Sequence, residues 1–195
     1  MAVKIYKDES DNIVLQNEIG KVKFNGNGVY ETYDTVSYTD ENSETLITFK
    51  KNRIYTLPIL RVALVGSTAE TSITFGFDGY TNGSGLAFSV PYSDVLKKMF
   101  MLIPFKVKAV RCTTLQSQKI DATERTTFLN GENLVGPIIK HTMEDIIAGT
   151  MTNAPIANFS TKPTNTQERY TIKFQNASSS VFTYYEFVAD ISYES

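Results

Sequence analysis

The chain has 195 residues, room for one large or two small β domains, and 42% hydrophobic against 21% charged residues, so a core needs no covalent staples. Its formal net charge is -2 with no Lys/Arg block, which argues against a dedicated nucleic-acid module, whose footprint is a basic patch. One cysteine, Cys112, excludes an internal disulfide framework.

In chain order, Val3–Lys7 is a short predicted strand leading into the polar turn Asp8–Asn12. The start, MAVKIYKDESD, has no apolar h-region, so no secretory signal is expected there. Ile13–Leu15 and Gly20–Phe24 are short apolar pieces. Asn25–Gly28 (NGNG) supplies the positive φ angles of a tight turn, which predicts a hairpin of Gly20–Phe24 with Val29–Tyr38. After the turn Thr39–Glu44, Thr45–Lys50 and Ile54–Val65 flank Lys51-Asn52 as a second expected hairpin. Ile54–Val65 is apolar on both faces, so it is covered on both sides or crosses between sheets, and Pro58 predicts a bulge, bend or edge position.

Ser72–Phe77 alternates, with Ile73, Phe75 and Phe77 on one face. Asp78–Gly85 is read as a glycine-rich loop and Leu86–Val90 as a short strand. Tyr92, Val95, Leu96, Met99 and Phe100 then recur at helical spacing, predicting a short helix over Tyr92–Met101 limited by Pro104. Phe105–Leu115 and Ile120–Leu129 are read as strands, Asn130-Gly131 as a turn, Thr142–Ala148 as a second short helix capped by Thr142, and Thr150–Thr166 as loop. Arg169–Gln175 alternates strictly. The last strand, Val181–Tyr193, places Thr183, Tyr185, Phe187, Ala189 and Ile191 on one face and Phe182, Tyr184, Glu186, Val188 and Asp190 on the other. No run approaches ~18 apolar residues, so no transmembrane helix is expected.

These elements specify an all-β fold: an antiparallel β-sandwich or jelly-roll-like barrel with one or two short connecting helices, as a single domain over residues 1–195. Phe75, Phe77, Val107, Tyr170, Ile172, Phe174, Phe187 and Ile191 are the expected core.

The chemistry-bearing residues are sparse. Cys112 sits within a strand and reads as a buried structural thiol rather than a nucleophile. His141 precedes Glu144 and Asp145, the acidic first turn of the expected second helix rather than a metal or acid–base site. Asp78–Gly85 lacks the Lys-Ser/Thr of a phosphate loop. Asp8–Asn12 and Asp40–Asn42 lack the ligand spacing of a calcium loop and read as solvated turns. The sequons at Asn82, Asn158 and Asn176 carry no support from a signal peptide. No catalytic, cofactor-binding or metal site is assigned, and the chain is read as a non-enzyme.

Polar turns rich in Asn, Thr, Ser and Gly, such as NGNG, DGYTNGSG and NASSS, between alternating strands give the whole chain a resemblance in style to bacteriophage virion structural proteins: capsid, minor capsid or decoration subunits. The resemblance implies a homo-oligomeric subunit of a virus particle, made in the host cytoplasm and residing in the virion, whose partners are copies of itself and other particle proteins. Residues 1 to 25 mix Lys4, Lys7, Lys21 and Lys23 with Asp8, Glu9, Asp11 and Glu18, which departs from a basic genome-binding arm. Ile54–Val65 and Phe105–Leu115 offer apolar surface for neighbouring copies unless the chain covers both faces itself, and Asp78–Gly85 and Thr150–Thr166 are the expected contact segments. The alternative is a carbohydrate- or receptor-binding sandwich, with Tyr80, Asn82 and Tyr92 as glycan contacts.

Overall fold

A computed structural model describes residues 4–16, 21–24, 28–40, 46–65, 68–81, 86–117, 129, 138–142, 157–159, 163–175 and 182–194. Among the described residues the chain is mostly β-strand in three antiparallel sheets, with one short helix besides the lone helical residue Leu129. None of the three sheets closes into a barrel among the described residues.

The first sheet is a six-stranded meander in sequence order: β1 (Lys4–Lys7), β2 (Ile13–Gln16), β3 (Lys21–Phe24), β4 (Val29–Glu31), β5 (Thr35–Thr39) and β6 (Leu46–Lys50). Local turn chemistry builds it. The Asp8 carboxylate accepts the backbone N–H groups of Ser10 and Asn12, and Asp11 adopts φ 63°. The expected strand Val29–Tyr38 is two strands, because the Thr32 hydroxyl accepts the Thr35 N–H and folds Thr32–Asp34 into a turn. Gly28, at φ 75°, is required by close approach: a Cβ there would lie 2.3 Å from the Thr39 carbonyl oxygen.

The second sheet runs β10 (Leu86–Ser89), β7 (Tyr55–Val65), β15 (Phe182–Ser192), β11 (Lys106–Ser117) and β12 (Ile138–Thr142). The third runs β13 (Ala157–Phe159), β14 (Arg169–Phe174), β8 (Thr71–Gly76) and β9 (Gly79–Thr81). β6 and β7 do not form the expected hairpin. Asn52, at φ 58°, donates its N–H to the Tyr193 carbonyl at 2.7 Å, and the chain leaves the first sheet for the second. The bulge expected at Pro58 is present: Phe187 opposes Leu60 and Val188 opposes Pro58, leaving Ile59 extra. β10 pairs only Arg61–Leu64, so the missing Pro58 donor falls beyond its reach.

The main core joins all three sheets. Val29, Val36, Tyr38 and Phe49 from the first, Leu60, Phe187 and Ile191 from the second, and Ile73, Phe75, Ile172 and Phe174 from the third belong to one buried cluster. The Phe174 ring meets Tyr185 at 5.0 Å and Phe187 at 6.2 Å, edge to face. All eight expected core residues are buried. Helix α1 (Asp94–Leu102) closes this core with Leu96, Met99 and Phe100, close to the predicted Tyr92–Met101. Ser93 caps it by accepting the Leu96 N–H at 3.2 Å. At its far end the buried Thr166 hydroxyl contacts the Phe100 and Ile103 carbonyls.

β12 extends to Thr142, opposite Arg111, and residues 143–148 of the expected second helix lie outside the described residues. Two further expectations, both of loops, need correction. Within Asp78–Gly85, Gly79–Thr81 forms β9, and Phe77-Asp78 closes a tight hairpin with β8. The loop Thr150–Thr166 contains β13, and its Thr164–Thr166 end hydrogen-bonds to Phe105 and Val107. The apolar surfaces of β7 are covered internally: Leu60, Val62 and Leu64 face the main core, while Ala63 packs with Phe182 and Tyr184 in a second cluster. Of the expected strand Ile120–Leu129 only Leu129 is described, and it is helical rather than strand, while residues 120–128, 130 and 131 lie outside the described residues.

Candidate ligand-binding groove

Where the first sheet meets the end of α1 and the end of β15, three distant segments converge on Glu31. Lys21 and Lys23 are two apart on β3 and share a face, and Lys23 lies directly opposite Glu31 on β4. The Tyr193 hydroxyl donates to Glu31, while the Lys51 ammonium stands 3.7 Å from the other Glu31 oxygen and 5.6 Å from the centre of the Tyr193 ring. Burial first, then the Glu31 charge, pushes the Tyr193 phenol well above its ordinary value, so it stays a donor. Lys23 pairs with Asp8 at 2.9 Å, which raises the Lys23 pKa.

Two cavities flank the Lys23–Glu31 pair. The larger, about 230 Å³, is lined by Lys21, Lys23, Glu31, Thr32, Tyr33 and Lys51. The smaller, about 90 Å³, lies toward Asn12, Pro104 and Tyr193. With Asp8 set against Lys23, the three ammonium groups of the larger lining still outnumber their acids by one, which favours an anionic occupant.

The residues singled out from sequence lie elsewhere. Cys112 is fully buried in β11, facing the core with Phe187 opposite it. His141 lies in β12 opposite Cys112, and Glu144 and Asp145, the expected acidic first turn, lie outside the described residues. Its run Ile138–Thr142 is rich in β-branched residues and pairs with an open flank of β11. Asp40 is buried and pairs with Lys98 at 2.6 Å, anchoring α1 to the first sheet instead of forming a solvated turn. Tyr92 is half-buried, with its hydroxyl donating to the Phe77 carbonyl at 2.8 Å and its ring packed edge-on against Phe100. Asn82 and the sequon at Asn176 lie outside the described residues, while Asn158 is paired in β13.

Among the described residues no group of three or more His, Cys, Asp or Glu is placed to hold a metal. No helix among them is long and apolar enough to cross a membrane. Sequence reading missed the Glu31–Lys51–Tyr193 convergence, because no local spacing links residues 31, 51 and 193. No protein-family model matches the chain, and neither does any curated protein or solved structure.

Proposed function

We propose that this chain is a non-enzymatic structural subunit of a symmetric assembly, a virion component as the sequence resemblance implies, built by contacts between copies. The observation that carries the reading is the outward face of the first sheet. Ile5 opposes Leu15, Leu15 opposes Val22, and Ile13 lies two residues from Leu15, so these side chains share one face. Ile5 is 67%, Ile13 50% and Leu46 58% exposed, while the opposite face carries the buried Val14, Val29, Val36 and Phe49. An apolar face left open on a folded sheet marks a contact surface.

Six strands span about 29 Å, and four residues of strand about 13 Å, a footprint near 400 Å². Two such footprints fall short of the ~1,200 Å² of a stable pairwise interface. The occupant we assign is therefore a second copy, held weakly by one contact and firmly by closed repetition. We further propose that the second and third sheets form a sandwich, a reading supported by the Phe174 contacts to Tyr185 and Phe187 between them.

Light scattering over a concentration range tests the assembly. Oligomers are expected for the native chain, and Ile13→Glu should return monomers with an unchanged circular-dichroism spectrum. A native chain that stays monomeric at its highest attainable concentration ends the reading. Mass spectrometry of purified virus particles tests the setting, with the chain expected among the particle proteins.

A further inference from the structure

Lys51 is the unusual residue of the groove. Its side chain is nine-tenths buried, yet the nearest acid, Glu31, is 3.7 Å away, beyond hydrogen-bond range. Glu31 is already engaged by the Tyr193 hydroxyl. The ammonium is held by one loose ion pair and a ring face, a shell that a further acceptor can join. The open direction is the 230 Å³ cavity. Lys23 is neutralised by Asp8 from outside that cavity, and Lys21 has no acidic partner among the described residues. With Lys23 set against Asp8 and Lys51 against Glu31, Lys21 leaves the lining one positive charge in excess at its mouth.

The remaining walls narrow the ligand. The Thr32 hydroxyl is committed to Asp34 and Thr35, so it shapes the wall without offering a donor. Tyr33, 80% exposed, stands at the rim as an uncovered aromatic. A cavity of this size far exceeds the ~30 Å³ share of one water. It is smaller than the ~300–1,000 Å³ of sites for larger ligands. A single sugar ring suits it: its C–H face lies against an aromatic, its hydroxyls donate to a carboxylate, and an acidic substituent meets the ammonium groups. We propose that this cavity binds one acidic monosaccharide unit, with the ligand carboxylate on Lys51 and Lys21, the ring against Tyr33 and a ring hydroxyl donating to Glu31. Lys23 and Glu31 belong to the inward side of the first sheet, away from the face assigned to assembly, so either inference can fail without the other.

Titration of the full chain with glucuronic acid, followed by calorimetry or by NMR, tests the site, with glucose, acetate and sulfate as controls. Glucuronate should bind saturably and at least about tenfold tighter than any control. Lys21→Gln and Tyr33→Ala, both at exposed positions, should each weaken it several-fold, and only Lys21→Gln should weaken acetate. Lys51→Gln should abolish binding; if that variant loses its fold, the two exposed variants decide. No binding, glucuronate no tighter than glucose or acetate, sulfate equal to glucuronate, or full affinity in both exposed variants would each overturn the proposal.

Discussion

Phe174 shows how much one side chain carries. It is fully buried on β14, and its ring meets two aromatic residues of β15. Phe174→Ala removes both contacts and leaves a cavity, so chemical denaturation should report a loss of roughly 3–5 kcal/mol. Asp8 acts through charge. The Lys23 ammonium, and after it the Asn12 side chain, holds the Asp8 carboxyl well below its ordinary 3.8. The folded state then binds the Asp8 proton more weakly than the unfolded chain does. Its stabilisation is present above 3.8 and is lost as pH falls toward the depressed folded value. Lys23 is raised in turn, so its share is complete below its ordinary 10.5 and lost only as pH rises through the higher folded value. The stability gap between the native chain and Asp8→Asn, followed by urea denaturation, should be widest near neutrality and close in acid. A gap that does not change between neutral and strongly acidic solution would remove Asp8 from this role.

At the scale of elements, α1 depends on its ends. Ser93 satisfies the Leu96 N–H, so Ser93→Ala should cost about 1 kcal/mol by the same denaturation assay, with the fold retained. Sequence made such elements legible where one face alone is buried. Ile73, Phe75 and Phe77, and likewise Tyr170, Ile172 and Phe174, alternate because every second side chain enters the core. It failed where the deciding contact is remote. Lys51-Asn52, with Asn52 at φ 58°, has the backbone of a tight hairpin turn, yet its N–H goes to Tyr193 and the next strand joins another sheet. The break in Val29–Tyr38 hangs on one hydroxyl, that of Thr32, in a run otherwise suited to a strand. The groove was illegible for the same reason as the crossing: Glu31, Lys51 and Tyr193 come from separate segments, and only the assembled sheets bring them within reach.

For the whole molecule, β15 is the organising strand. It lies between β7 and β11 and pairs with each along nearly its whole length. Arg61 and Glu186, joined across β7 and β15 at 2.6 Å, are 125 positions apart. The six strands of the first sheet, by contrast, pair only with sequence neighbours. This difference sets a timetable. Local hairpins close quickly, whereas a distant pairing must first bear the entropy of closing a long loop. During refolding the amides of β2–β5 should gain protection from hydrogen exchange before those of β7 and β11. Pulse labelling checks that order, and simultaneous protection of both sheets would contradict it. Until β15 docks, β7 and β11 each present a long unpaired flank to any other strand in solution. The sheet whose pairings span the longest stretches of chain is thus the one most exposed to mispairing while the chain is still finding its shape.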